Sequence, residues 1–160
     1  MLRGAPIYPL GFGYSGQLYG KIKLMASTIE IDIVTIFLAA VVNMALGMAW
    51  YSSLMFGKKW IKLSGTTERK KARDMGLIYS LTFFASLVTA FALEMFIANI
   101  TDSNVATGIM IGFWAGVGFV AATSLPEYLF NSNNKAKELY LINVGYHLVA
   151  LMLMGGLLAI

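Results

Sequence analysis

The sequence contains no cysteine and a single histidine, and only 12% of its 160 residues are charged. Without cysteine the chain can hold no disulfide, no thiolate metal site, no iron–sulfur cluster and no cysteine nucleophile. The lone histidine, His147, also excludes a metal site built from two or more histidines of this chain. We therefore expect no metal and no other cofactor.

The scarcity of charge is matched by an excess of apolar residues, which make up 58% of the chain. Soluble domains have about 45–50% apolar and about 25% charged residues. A membrane-crossing helix needs ~20 mostly apolar residues, and the sequence has four such runs, at about residues 33–56, 75–100, 105–130 and 139–160. Short turns make neighbouring helices antiparallel. The sequence predicts an all-α, integral membrane bundle of four transmembrane helices in up-down order.

Residues 1–30 differ from the rest and are predicted to form an irregular N-terminal arm. Glycines and two of the three prolines interrupt this stretch, and both residue types oppose helix formation. The tyrosines between them suit the membrane–water interface. Because no continuous apolar core is present, we do not expect a signal peptide. The predicted organisation is an arm, residues 1–30, followed by a transmembrane domain, residues 31–160.

Basic residues are concentrated in the loop at residues 57–74, which contains Lys58, Lys59, Lys62, Arg69, Lys70, Lys71 and Arg73. The loop at residues 131–138 lies on the same side and has two more lysines, whereas the opposite side has three basic residues. The positive-inside rule therefore predicts that both loops are cytoplasmic and both termini outside. The seven basic residues could also contact anionic lipid headgroups. Since they flank apolar runs, we expect no nucleic-acid partner.

Glycine recurs every four residues in the third run, at Gly108, Gly112 and Gly116. This spacing leaves one helix face almost bare, so that another helix can approach closely. The neighbour could belong to the same bundle or to a partner. Together with the small size and the arm, this face favours a non-catalytic accessory or stabilising subunit of a larger membrane protein complex. The expected partners are membrane lipids and other membrane subunits, or a second copy of the chain.

Ionisable groups inside a membrane span are costly and need a partner or a water-filled cavity. Glu94, Glu127 and His147 are such groups, and Glu94 lies in the outer half, away from the others. We expect a polar pocket in the cytoplasmic half, formed by Asn43, Tyr51, Glu127, Asn143 and His147. The pocket is the basis of an alternative function, a small transporter or a ligand- or lipid-binding membrane protein. The same residues could instead only hydrogen-bond the helices together.

An enzyme is not expected. The sequence has no nucleophile elbow and no phosphate-binding glycine loop. A lone histidine near a carboxylate is not an enzyme signature. Eight of the ten methionines are spread over the four runs, as flexible packing residues are.

Three segments resemble a family of small four-helix membrane proteins known as domain of unknown function 1761. They are AWYSSLMFGKKW at residues 49–60, GFVAAT with YLF at residues 118–123 and 128–130, and INVGYHLV at residues 142–149. The resemblance covers about residues 33–160 and leaves out the arm. The chain departs from the family pattern at Ser53, where proline is expected, and at Pro126 and Glu127. The resemblance implies the four-helix fold and topology, and it implies no reaction.

Overall fold

The computed structural model describes residues 31–65, 75–100, 103–130 and 136–160. All regular structure in these ranges is helical. Four helices are long and apolar enough to cross a membrane, which confirms the predicted fold class. In chain order the helices are α1 (Ile33–Trp50), α2 (Gly57–Ser64), α3 (Met75–Ile97), α4 (Val105–Leu129) and α5 (Ala136–Leu158). The predicted N-terminal arm lies outside the described residues.

The first span ends six residues earlier than the apolar run does. α1 stops at Trp50, and the chain turns before α2 begins at Gly57. The turn is tight: the amide of Gly57 donates to the carbonyl of Ser52 at 2.9 Å. A Cβ on Gly57 would lie 2.2 Å from the carbonyl oxygen of Tyr51. Only glycine allows this approach without a shift of the backbone.

Asp32 caps the start of α1. Its carboxylate accepts a hydrogen bond from the amide of Val34 at 2.9 Å and another from the hydroxyl of Thr35. Capping by aspartate satisfies backbone donors that the first helical turn leaves free. The Thr35 hydroxyl, followed by the amides of Thr35 and Val34, holds the pKa of Asp32 below its usual value.

The lowered pKa of Asp32 predicts a loss of stability in acid. Because its folded-state pKa is depressed, the stabilising contribution is present above pH ~3.9 and is lost as the pH falls through the folded-state pKa. Thermal unfolding in detergent at pH 5 and pH 3 checks this. We expect Asp32→Asn to reduce the difference between the two midpoints. An unchanged difference would contradict the assignment of this cap.

α5 is the helix on which the bundle packs. Ten of its residues are buried, against three in α1, five in α3 and three in α4. Its direction relative to α1 follows from two hydrogen bonds, from the Tyr146 hydroxyl to the Asn43 side chain and from the Trp50 indole to the carbonyl of Ile142. Higher numbers in α1 meet lower numbers in α5, so the two helices are antiparallel.

α4 packs on α5 through the predicted glycine face. A Cβ on Gly108 would lie 2.0 Å from the carbonyl oxygen of Gly155, and one on Gly112 would lie 2.1 Å from that of Leu151. Gly116 lies against the side chain of Leu148. The two backbones touch, so this face is covered by a helix of the same chain.

α3 is packed over only part of its length. Its buried residues are Ser86, Ala90, Leu93, Glu94 and Ile97. Several of these meet Ile36, Met154 and Leu158 in the central apolar cluster. Residues 75–85 contribute no buried side chain. We call the half of the bundle that contains the C-terminal part of α3 the closed half, and the half in which α3 has no buried side chain the open half.

α4 is interrupted by a π-helical segment, Gly116–Ala121, before it continues to Leu129. Pro126 follows within the next α-helical turns and has no amide hydrogen to donate. The hydroxyl of Tyr140, on α5, donates to the carbonyl of Ala121 at 2.9 Å. A side chain from α5 thus supplies a donor to the irregular part of α4.

Candidate functional site

Asn143 is the centre of a network of polar and aromatic side chains at the open half of the bundle. Its amide oxygen accepts from the hydroxyl of Tyr51 at 3.2 Å and from the indole of Trp60 at 3.1 Å. Its amide nitrogen donates to the hydroxyl of Tyr128 at 2.8 Å. One side chain on α5 therefore joins the turn after α1, the short helix α2 and the end of α4.

A second hydrogen-bonded group lies deeper in the bundle and joins three spans. The hydroxyl of Tyr146 donates to the side-chain oxygen of Asn43 at 2.7 Å, and the amide nitrogen of Asn43 donates to Ser86 at 2.8 Å. We call Asn43, Ser86 and Tyr146 the polar layer. Tyr146 also contacts Tyr51, with ring centroids 5.3 Å apart, so the polar layer is continuous with the Asn143 network.

The structure thus brings together three of the five residues predicted for the polar pocket: Asn43, Tyr51 and Asn143. Glu127 has an exposed side chain on α4, and no hydrogen bond links it to the described residues of the network. His147 is also exposed. Its imidazole contacts the ring of Tyr146 at a centroid distance of 4.8 Å.

His147 is exposed although it lies on the inward face of α5. Helix positions three, four and seven residues apart share a face. On the face of His147 the side chains of Ala150, Leu151 and Met154 are only 3%, 7% and 0% exposed. Asn143, one turn in the other direction, belongs to the network. The inward face of α5 therefore has a gap at His147.

The N-terminal half of α3 is also exposed on a helix face that is buried further along the helix. Tyr79 and Thr82 share a helix face with Ser86, seven and four residues further on. Ser86 is 3% exposed, whereas Tyr79 is 47% exposed and Thr82 is also exposed. Ser86 and Tyr146 both hydrogen-bond to Asn43, so His147 lies at about the depth at which the exposed part of α3 begins. We call the exposed surface of His147 and residues 75–85 the His147 crevice. The polar layer contains Ser86 and Tyr146, the neighbours in sequence of the two exposed segments.

The short helix α2 is held against α5 by the bond from Trp60 to Asn143. It is amphipathic: Leu63 is buried, whereas Lys58, Lys59 and Lys62 are exposed. Lys59 forms an ion pair with Glu138 on α5, with 3.1 Å between Nζ and Oε2. These lysines belong to the predicted lipid-contact set, whose other members, Arg69, Lys70, Lys71 and Arg73, lie outside the described residues.

Glu94 is in the closed half of the bundle, away from the crevice. Its side chain is 6% exposed, and no partner for its Oε2 exists within the described residues. A charged carboxylate without a partner is costly inside a membrane. Burial of the carboxyl therefore costs stability there and contributes nothing to the crevice.

An apolar groove of about 400 Å³ runs between α3 and α4. Its lining residues are Phe96, Ile100, Thr107, Met110, Ile111, Trp114, Ala115 and Phe119. Trp114 and Phe119 are 62% and 70% exposed, so the groove faces outward from the bundle.

Sequence reasoning did not assign Ser86, Trp60, Tyr128 or Tyr146 to the site. Trp60 and Tyr146 lie in segments that resemble the family, but aromatic residues near span ends are expected at the interface for topological reasons. The position of Tyr146 is informative only when it is considered together with Asn143. Tyr146 follows Asn143 by three residues and therefore shares its helix face.

The chain matches the family described as "Protein of unknown function (DUF1761)" over residues 34–159. No curated protein and no solved structure matches it. The match spans α1 to α5, with the Asn143 network, the polar layer and the crevice. The chain therefore belongs to the DUF1761 family.

Proposed function

We propose that the protein is a non-catalytic, multi-pass membrane protein that binds a ligand in the His147 crevice. The observation that carries the proposal is the exposure of His147 on a helix face that is otherwise buried. An ionisable side chain inside a span faces the bundle interior or a water-filled cavity in nearly all membrane proteins. A crevice of this kind supplies such a cavity.

The surroundings of the crevice support binding. Asn143 and the polar layer fix the side chains next to His147 through hydrogen bonds of 2.7–3.2 Å. A site built on hydrogen-bonded helices holds its geometry better than one built on loops. Neutral imidazole has one donor and one acceptor nitrogen. The ligand is therefore expected to have a polar group that meets His147.

Labelling of introduced cysteines tests the crevice, because the natural chain has no cysteine. We expect His147→Cys to react with a water-soluble maleimide about ten times faster than Ala45→Cys, since only a hydrated thiol forms the reactive thiolate. Ala45 is a matched control: it is exposed on α1, opposite the helix face of buried Ile36 and Ala40. Its neighbour Gly47 lies beside Tyr146, at the depth of His147. Equal, slow reaction of both thiols would contradict the crevice.

The same experiment tests the orientation, which we propose to be cytoplasmic for the end that contains α2. The support is the positive-inside rule and the position of Lys58, Lys59, Lys62 and Lys137 at this end. Ser53→Cys, in the exposed turn after α1, is the reference. With intact cells and an impermeant reagent, it should react only after permeabilisation. Labelling from outside would reverse the orientation.

A second candidate function is an accessory subunit of a larger membrane complex. The glycine face does not support it, because α5 covers that face. The groove between α3 and α4 does, since its exposed aromatic residues could receive a helix of another subunit or of a second copy. The mass of the protein in mild detergent tests this. A mass well above the 17.5 kDa of one chain would support it, and a stable monomer would contradict it.

A further inference from the structure

We infer that Glu94 is a proton-binding site in the closed half of the bundle, separate from the His147 crevice and independent of it. The carboxyl holds the proton as the neutral acid and exchanges it with water at the end of the bundle where α1 begins. Three features carry the inference: the burial of the side chain, the charges around it and the apolar turn that separates it from the polar layer.

The first feature is a carboxyl that is buried without a partner. Glu94 is 6% exposed, and its Oε2 has no hydrogen-bond partner among the residues that the structure describes. An unpaired charge inside a membrane span is costly. A buried carboxyl with no cation beside it avoids this cost by taking up a proton, which makes it neutral.

The second feature is the charge on the neighbouring helices. α1, α4 and α5 all pack against α3, and at this end their described residues are 31–42, 103–115 and 148–160. These ranges contain no lysine, arginine or histidine, and Asp32 is their one ionisable side chain. The negative charge of Asp32 repels a charge on Glu94. The surroundings therefore favour the neutral acid and supply no counterion for the carboxylate.

Helix rise places Asp32 about one turn nearer to the end of the bundle than Glu94. Asn43 and Ser86 are at the same depth, because their side chains are hydrogen-bonded. Asp32 is 11 residues from Asn43 and Glu94 is 8 residues from Ser86 in the same direction, which puts the two carboxyls about 5 Å apart in depth. Asp32 is exposed, so water reaches the bundle one turn from Glu94.

The third feature is the apolar turn between Glu94 and the polar layer. Glu94, Ala90 and Ser86 follow one another at four-residue intervals on one face of α3. Ala90 packs with Ala39 and Met154 in the central apolar cluster, and all three are 0% exposed. Apolar packing offers no group that could pass a proton on. Glu94 therefore exchanges its proton with the end of the bundle where α1 begins, and the polar layer takes no part.

Labelling with dicyclohexylcarbodiimide tests the site in the full chain, in mild detergent. This apolar reagent reacts with a carboxyl that still has its proton: the proton goes to a carbodiimide nitrogen, and the carboxyl oxygen adds to the carbodiimide carbon. Glu138 is the control within the same chain, because it is an exposed carboxylate paired with Lys59. At pH ~7.5 we expect Glu94 to react at least about ten times faster than Glu138. Equal reactivity of the two side chains would overturn the inference.

Glu94→Gln provides a second test, because glutamine has the shape of the neutral acid and cannot ionise. The unfolded natural chain loses this proton above pH ~4.3, whereas the folded protein keeps it. The folded state is therefore favoured in acid and loses that advantage as the pH rises. Between pH 5 and pH 8, the thermal midpoint of the natural protein should fall relative to that of Glu94→Gln by about 4 °C for each pH unit. A difference that does not change with pH would overturn the inference.

Sodium ions distinguish a proton site from a metal-cation site. Replacing choline chloride with sodium chloride at equal concentration should leave the labelling of Glu94 unchanged. Protection by sodium would show that a metal cation is the ligand and would overturn the assignment of the proton.

Discussion

Gly108→Ala should destabilise the protein by about 2–3 kcal/mol, because the added methyl group meets backbone and not a movable side chain. A Cβ at this position would lie 2.0 Å from the carbonyl oxygen of Gly155 and 2.7 Å from the Cβ of Ala159. Overpacking of this kind forces the helices apart and costs about 1–3 kcal/mol or more. The thermal midpoint in detergent should fall by about 10 °C.

Gly118→Ala is the matched control for this prediction. Gly118 is in the same helix, but a Cβ there would meet nothing within 4 Å. Its midpoint should stay within about 2 °C of the natural protein. A similar loss in both variants would mean that alanine disturbs α4 itself, and the close contact of α4 with α5 would not be the cause.

Asn143→Ala should release α2 from the bundle. The substitution leaves the hydroxyls of Tyr51 and Tyr128 and the indole of Trp60 without their partner. Side-chain hydrogen bonds between membrane helices contribute about 0.6–1.7 kcal/mol each, so the loss of three is expected to cost about 2–4 kcal/mol. Hydrogen exchange measured by mass spectrometry should become faster throughout residues 57–64.

Asn99→Ala is the matched control, because Asn99 bonds within its own helix and not to another helix. The amide of Asn99 donates to the carbonyl of Met95 in its own helical turn, at 2.6 Å. This variant should leave exchange in α2 unchanged and lower the thermal midpoint only slightly. If exchange in α2 stays slow in Asn143→Ala as well, the amide does not hold that helix.

The number and type of the spans could be predicted because both depend on simple physical quantities. A run of ~20 apolar residues fits the hydrocarbon core, and the chain has four. The end of α1 could not be predicted in the same way. Leu54, Met55 and Phe56 continue the apolar run, and the turn depends on the contact of Gly57 with the carbonyl of Tyr51. That close approach is local backbone geometry, and it leaves no mark in hydropathy.

The members of the candidate site could be predicted only in part, and their arrangement could not be predicted. Depth along each span placed Asn43, Tyr51 and Asn143 near one another, because helix rise converts residue number into height. The network itself depends on rotation about each helix axis. The same depth argument included Glu127 and His147, which are exposed. A polar residue of α5 joins the network where other helices pack against it, and it is exposed where they do not. The sequence of α5 has no local pattern that distinguishes the two cases.

The position of α5 in the bundle has a consequence for biogenesis. α5 is the last of the four spans to leave the ribosome, yet it is the one on which α1 and α4 pack. Chains fold from the N-terminal end during synthesis, so the earlier spans enter the bilayer before their common neighbour exists. Until then the Gly108 face of α4 and the Asn43 amide of α1 remain without their final partners. A ribosome that stalls before α5 would release a chain with both surfaces open to other membrane proteins and to quality-control proteases.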